Sequence, residues 1–156
     1  MKNKWQGGWG AIVLWFFVCG NLFADTDSPC QTSLGKIRGT VQVRKEGGAW
    51  QPAVSGMILG EMYEIQTDPE AFAEIFLDED GKTIGSLELK EKSHLRITEL
   101  KRDPQSGETT ALLDLALGKV LAHAEKFEKK SQFEVRTPTS VTGVRGTVFE
   151  VSVEKR

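Results

Sequence analysis

A chain of 156 residues, 39% of them hydrophobic, suffices for one independently folding domain and falls short of several. Its 20 Lys and Arg stand against 22 Asp and Glu, a net charge of -2 at pH 7, which excludes the concentrated basic face that nucleic-acid binding needs. With 2 Cys and 2 His, none paired at ligand spacing, neither a disulfide framework nor a His/Cys metal centre is expected.

The N-terminus reads as an export signal. Lys2 and Lys4 precede an apolar run at residues 11–18 (AIVLWFFV), followed by Leu22-Phe23-Ala24 and the first acidic residue, Asp25. A basic start, a short apolar core and a small residue before a polar stretch form a secretory signal peptide. The run is shorter than the roughly 20 apolar residues of a membrane-spanning helix. Residues 1–24 are therefore expected to be cleaved after Ala24, leaving a periplasmic or otherwise exported chain without a transmembrane helix. Cys19 lacks a small residue at Val18, which argues against lipid attachment. Cleavage removes Cys19 and three of the four Trp, leaving Cys30 and Trp50. A single Cys cannot form an internal disulfide, so Cys30 is either a spare thiol or one end of a bridge between chains.

Residues 25–33 are polar and expected to be disordered, with the domain filling 34–156. "GKIRGTVQVRKEG" alternates apolar Ile37, Val41 and Val43 with polar residues, the period of a half-buried strand. Gly47-Gly48 marks a turn. Residues 62–67 (MYEIQT) form the next strand, closed by Asp68-Pro69. "EAFAEIFLDEDG" alternates again and breaks at the Asp-Gly turn of residues 78–81. Leu87, Leu89, Leu95 and Ile97 continue the pattern, and residues 103–107 (DPQSG) make another turn. Short strands at this spacing predict a single all-β domain, with its strands in two packed, sandwich- or solenoid-like sheets.

Residues 111–130 (ALLDLALGKVLAHAEKFEKK) disagree with that pattern. Leu113, Ala116, Leu117, Val120, Leu121, Ala124 and Phe127 fall on one helical stripe. The strand reading instead needs a break at Gly118. Periodicity alone favours the helix.

No catalytic motif is present. Residues 78–81 resemble a calcium loop only faintly, since Phe76 stands where the first ligand belongs. There is no nucleophile elbow, P-loop or dinucleotide fingerprint. An enzyme is not expected, nor a cofactor. His94 and His123 read as ordinary surface or strand residues.

The tetrapeptide RGTV occurs twice, at residues 38–41 and 145–148. Gly inside a strand marks a bulge or a close backbone approach, and the preceding Arg can reach carbonyls or a carboxylate freed there. Gly146 lies among apolar Val144, Val148 and Phe149, so a structural role is favoured over ligand binding.

Four stretches in order resemble the FecR domain family. They are a strand followed by Trp and a Gly-rich turn (residues 50–60), and a Thr…Ala…Phe…Asp-Gly run with extra residues (67–81). An L-x-x-G-x-V step follows (115–120), and finally F-x-V-x-T-P-x5-V-R-G-T-x-F-x-V (133–151). The resemblance extends from about Leu34 to the C-terminus. It marks Thr137, Pro138, Val144, Arg145, Gly146, Thr147 and Phe149 as a motif, read as structural. It does not require the upstream RGTV.

The resemblance implies an all-β, periplasmic, non-catalytic module. In the namesake family this domain belongs to inner-membrane sigma-factor regulators, whose periplasmic part senses an outer-membrane transporter. Those regulators carry a cytosolic region and a membrane span ahead of the domain. Neither is expected here, so what carries over is the fold and a protein-binding or scaffolding role in the envelope. The resemblance also turns residues 111–130 into two strands joined at Gly118. Residues 147–153 are expected to form an open edge for a homo-oligomer or an envelope partner. The alternative function is carbohydrate or peptidoglycan binding, with Trp50 and Tyr63 as stacking surfaces.

Overall fold

The computed structural model describes residues 30–79, 81–124, 132–144 and 148–154. The expected signal peptide lies outside them, as does the part of the polar lead-in before Cys30. The described residues form twelve strands: β1 (Cys30–Arg38), β2 (Val41–Lys45), β3 (Gln51–Pro52), β4 (Ile58–Leu59), β5 (Tyr63–Thr67), β6 (Phe72–Glu79), β7 (Lys82–Leu89), β8 (His94–Arg102), β9 (Thr109–Ala124), β10 (Gln132–Arg136), β11 (Val141–Val144) and β12 (Val148–Val153). The chain is all-β, as the alternation predicts. β1 begins at Cys30, so residues 30–33, expected to be disordered, lie in the sheet.

The strands make one strongly curled sheet, a half-barrel, and not the two packed sheets expected. The order is β3-β2-β5-β8-β9-β7-β6-β1-β4, with β10 and β12 also on β9 and β11 on β10. All pairs are antiparallel except β9–β10. β9 prevents a division into two sheets. Its first part, from Thr109 to Leu117, pairs with β8 and its second, from Gly118 to Ala124, with β7 and β12. One strand thus belongs to both halves, and the sheet folds over along a crease that crosses β9 at Gly118.

The chain passes the same crease between β1 and β2, β5 and β6, and β7 and β8. Hydrogen bonds continue across it: Asp68 N–H to Thr40 O (3.1 Å), Thr67 N–H to Ser93 O (3.0 Å) and Lys90 N–H to Lys119 O (2.9 Å). Side chains fill the gaps in the ladder. Thr67 Oγ1 donates to Lys90 O (2.6 Å) and accepts from Ser93 N–H (2.9 Å), and Ser93 Oγ accepts from Lys119 N–H (2.9 Å). Buried backbone groups freed by a bend need such partners.

The upstream RGTV occupies the first of these crossings. Gly39 has φ of 71°, and a Cβ there would lie 2.9 Å from Ala71 Cα, so the position requires Gly. In the downstream copy, Arg145, Gly146 and Thr147 lie outside the described residues. Their described neighbours end β11 in one half and start β12 in the other.

The core fills the concave side. Leu34, Leu59, Ile75, Leu77, Leu87, Leu89 and Val120 enter from one half, and Val43, Ile65, Leu95, Ile97, Leu113, Leu115, Phe133 and Val135 from the other. Each fully buried Leu or Ile contributes about 1.5–3 kcal/mol through lost apolar exposure.

Residues 109–124 are one strand of 16 residues, neither a helix nor two strands. Leu113 and Leu115 pack inward, as do Val120 and Ala122, so the inward phase shifts by one residue between the pairs. The slip has two visible parts. Ala116 is an extra residue opposite the His94–Leu95 step, and Gly118 bends at φ of 94°. A period-two pattern that slips once imitates a 3.6-residue stripe, which is why periodicity pointed to a helix.

Candidate functional site: a charged outer face around Glu64

The convex face of one half carries a row of charges fixed by strand register. Arg44 on β2 lies opposite Glu64 on β5, Glu64 opposite Arg96 on β8, Arg96 opposite Asp114 on β9, and Asp114 beside Arg136 on β10. Their chain neighbours Val43, Ile65, Leu95, Leu113 and Val135 point into the core, so all five point outward. The signs alternate across five strands. Opposite charges on adjacent strands stabilise by about 0.2–1 kcal/mol each.

Glu64 is the anchor, with its side chain 3% exposed. Its Oε2 accepts from Arg44 Nε (3.1 Å) and Nη2 (2.8 Å) and lies 2.9 Å from His94 Nε2. Its Oε1 accepts from Arg96 Nη2 at 2.7 Å. Burial by itself would raise the pKa of this carboxyl. Hydrogen bonds from Arg96, Arg44 and His94 outweigh it and hold the pKa down at about 2. Around this core, the Arg44 guanidinium stacks 4.4 Å from the Trp50 ring centre, and His94 meets the same ring edge-on at 5.9 Å. Arg96 also reaches Glu46 (3.4 Å), and Thr98 donates to Asp114 Oδ2 (2.6 Å).

This arrangement is suited to recognition rather than to bond making. Glu64 accepts from two guanidinium groups and meets one imidazole, so its charge is spent inside the row and fixes the orientation of Arg44 and Arg96. Among the described residues no group of three or more His, Cys, Asp and Glu could hold a metal ion. Asp78, of the faint calcium loop, spends both oxygens within the sheet, accepting from Ser33 Oγ (2.9 Å) and Thr83 Oγ1 (2.7 Å). Partly exposed Arg and Trp held in fixed rotamers are the side chains that dominate binding energy at protein interfaces.

The motif residues singled out from sequence lie elsewhere. Thr137 and Pro138 form the β10–β11 turn, where Thr137 Oγ1 accepts from Ser140 N–H (2.9 Å) and Thr137 N–H donates to Ser140 O (2.8 Å). Val144 ends β11 opposite Phe133, and Phe149 on β12 packs against the core opposite Ala122. Arg145, Gly146 and Thr147 are outside the described residues. Trp50, the proposed sugar platform, has one ring face occupied by Arg44, and Tyr63 packs partly against the core. Cys30, expected within a disordered lead-in, is 2% exposed, and burial followed by the nearby Glu79 raises its thiol pKa to about 11.

Sequence reasoning missed the Glu64 cluster. Each member was visible as the polar partner in an alternating strand, but register alone brings the four strands of Arg44, Glu64, Arg96 and Asp114 into line. A second concavity, a cleft of about 1410 Å³, follows the crease past Gly39, Phe72, Lys90 and Gly118. It has as many basic as acidic side chains on its walls and so carries no net sign.

A family model described as FecR protein matches residues 63–156, more than half of the chain and every strand from β5 onward. No curated protein matches, and no solved structure matches. β1 to β4 lie ahead of the matched span yet continue the same sheet.

Proposed function

The chain belongs to the FecR family, and from that premise we propose that it is an exported, non-enzymatic module that binds another protein in the cell envelope, for signalling or scaffolding. The FecR domain is a module of sigma-factor regulators and is typically regulatory and non-catalytic. The basic and then apolar start at residues 1–24 supports a periplasmic location. The observation that carries the binding reading is the alternating outer row Arg44–Glu64–Arg96–Asp114–Arg136, ordered by buried Glu64 and flanked by Trp50. A partner face with carboxylates spaced at twice the strand separation would meet its three arginines.

The test is a crosslinking pull-down from the envelope of the native organism, with the unaltered chain and with Arg136→Glu. Arg136 is half exposed at the end of the row, so its reversal leaves the fold intact. Loss of a specific crosslinked protein in the variant supports the reading. Equal recovery by both chains, or no protein recovered by either, overturns it.

A further inference from the structure

We infer that the free edge of β12 pairs with the β12 of a second copy of this chain, in one antiparallel register centred on Val151. The inference deepens the protein-binding reading by adding a self-association surface. It is tested on the purified chain alone, so it can fail while the partner experiment succeeds, and the reverse.

Among the described residues the sheet is one strand short at this place. Beyond β9, one half continues with β10 and then β11, while the other continues with β12 alone. On the opposite side the halves match, each adding four strands and closing on a two-residue cap, β3 or β4. Among the described residues, the second edge of β12 has no strand on it. That edge is six residues long and holds neither Pro nor Lys, the usual devices that blunt an edge. Its inward side chains are apolar. Val151 is 8% exposed, and Phe149 and Val153 are only partly covered. A strand added here would complete their burial.

The direction of the backbone groups follows from β9. Lys119 turns its N–H to Ser93 Oγ and its C=O to Lys90 N–H, both on the β7–β8 side. Strand alternation then turns the amide and carbonyl of Val120 toward β12, where Val151 is its partner. The N–H and C=O groups of Glu150 and Ser152 therefore point out from the free edge.

Three two-fold registers use these groups or lie between them. Centring on Glu150 sets Glu150 against its own copy, and centring on Ser152 sets Glu150 against Glu154. Both oppose like charges on directly facing residues, which is destabilising. Centring on Val151 places Glu150 opposite Ser152, Phe149 opposite Val153 and Val151 opposite itself. The outward-pointing groups of Glu150 and Ser152 then exchange both hydrogen bonds. This register satisfies backbone, charge and apolar packing together, and a two-fold interface repeats every contact twice.

The experiment is sedimentation equilibrium of the chain as purified, its N-terminus fixed by mass spectrometry, up to about 1 mM. Ser152→Glu faces Glu150 of the other copy twice and should weaken the dimer by about tenfold, whereas Ser152→Lys should tighten it by a similar factor. Within one copy Ser152 lies beside Lys119, so Glu should suit the monomer better than Lys. The expected order for the dimer is the reverse of that for the monomer, and thermal melting of dilute samples separates the two. A chain that stays monomeric throughout overturns the inference. A dimer that responds equally to both substitutions also overturns it.

Discussion

Gly118 and Ser93 stand so close across the crease that a Cβ on Gly118 would lie 2.1 Å from Ser93 Oγ and 2.4 Å from Ser93 Cα. Gly118 also holds φ of 94°, and the residue after it donates its N–H to the same Ser93 oxygen at 2.9 Å. Ser93 is 1% exposed, so nothing nearby can move into solvent to make room. The fold of the sheet depends on this contact. Gly118→Ala should cost at least about 2–4 kcal/mol, from strain at positive φ added to the overlap. Urea unfolding measures the loss. A stability within about 0.5 kcal/mol of the unaltered chain would show that β9 does not bend tightly at this point.

The first RGTV copy makes a related claim. Gly39→Ala places a methyl against the Ala71 backbone at positive φ, and about 1–3 kcal/mol should be lost in the same assay. If Gly39→Ala melts like the unaltered chain, the tetrapeptide is not a crossing device at residues 38–41.

Glu64 links acidity to stability. Its folded pKa of about 2 lies below the ordinary value of 4.5, so its contribution is complete above about 4.5 and is lost as pH falls toward 2. In Glu64→Gln the two arginines lose their shared counter-charge, at a cost near neutral pH of about 1–3 kcal/mol, reduced because the arginines are a third exposed. Urea titrations between pH 5 and 2 should show the two proteins converging in stability as pH falls. A gap that stays constant through this window would mean that the Glu64 charge is not its source.

Cys30 should be unreactive in the folded chain. Burial and a pKa near 11 leave almost no thiolate at neutral pH. With Cys19→Ala, labelling by a thiol reagent should be slow in buffer and fast in urea. Rapid labelling of the native protein would place Cys30 at the surface and reopen a bridge between chains.

Strand identity was largely legible because alternation records which side of a half-buried strand faces the core. Val41 and Val43, or Leu87 and Leu89, needed no further information. Turn chemistry was equally local: Gly47 at φ of 73° follows from the Gly-Gly step, and Asp103 Oδ1 accepts from Gln105 N–H at 2.7 Å in the predicted DPQSG turn. The reading failed at residues 111–124, where one bulge and one bend moved the phase by a single residue. The Glu64 cluster was out of reach for another reason. Arg44, Glu64 and Arg96 are 20 and 32 residues apart in the chain, and which strands lie side by side is not written in any one of them.

The amino-acid sequence by itself determined an all-β chain of the FecR family, with its turns and inward-facing residues, because these depend on neighbours two to four positions away. Only the tertiary structure decided that the strands form one creased sheet rather than two packed ones. It also decided that five charges align on the outer face and that, among the described residues, β12 has a strand on one side only. Those outcomes depend on register between distant strands, set by how the whole core closes over the crease at Gly39 and Gly118.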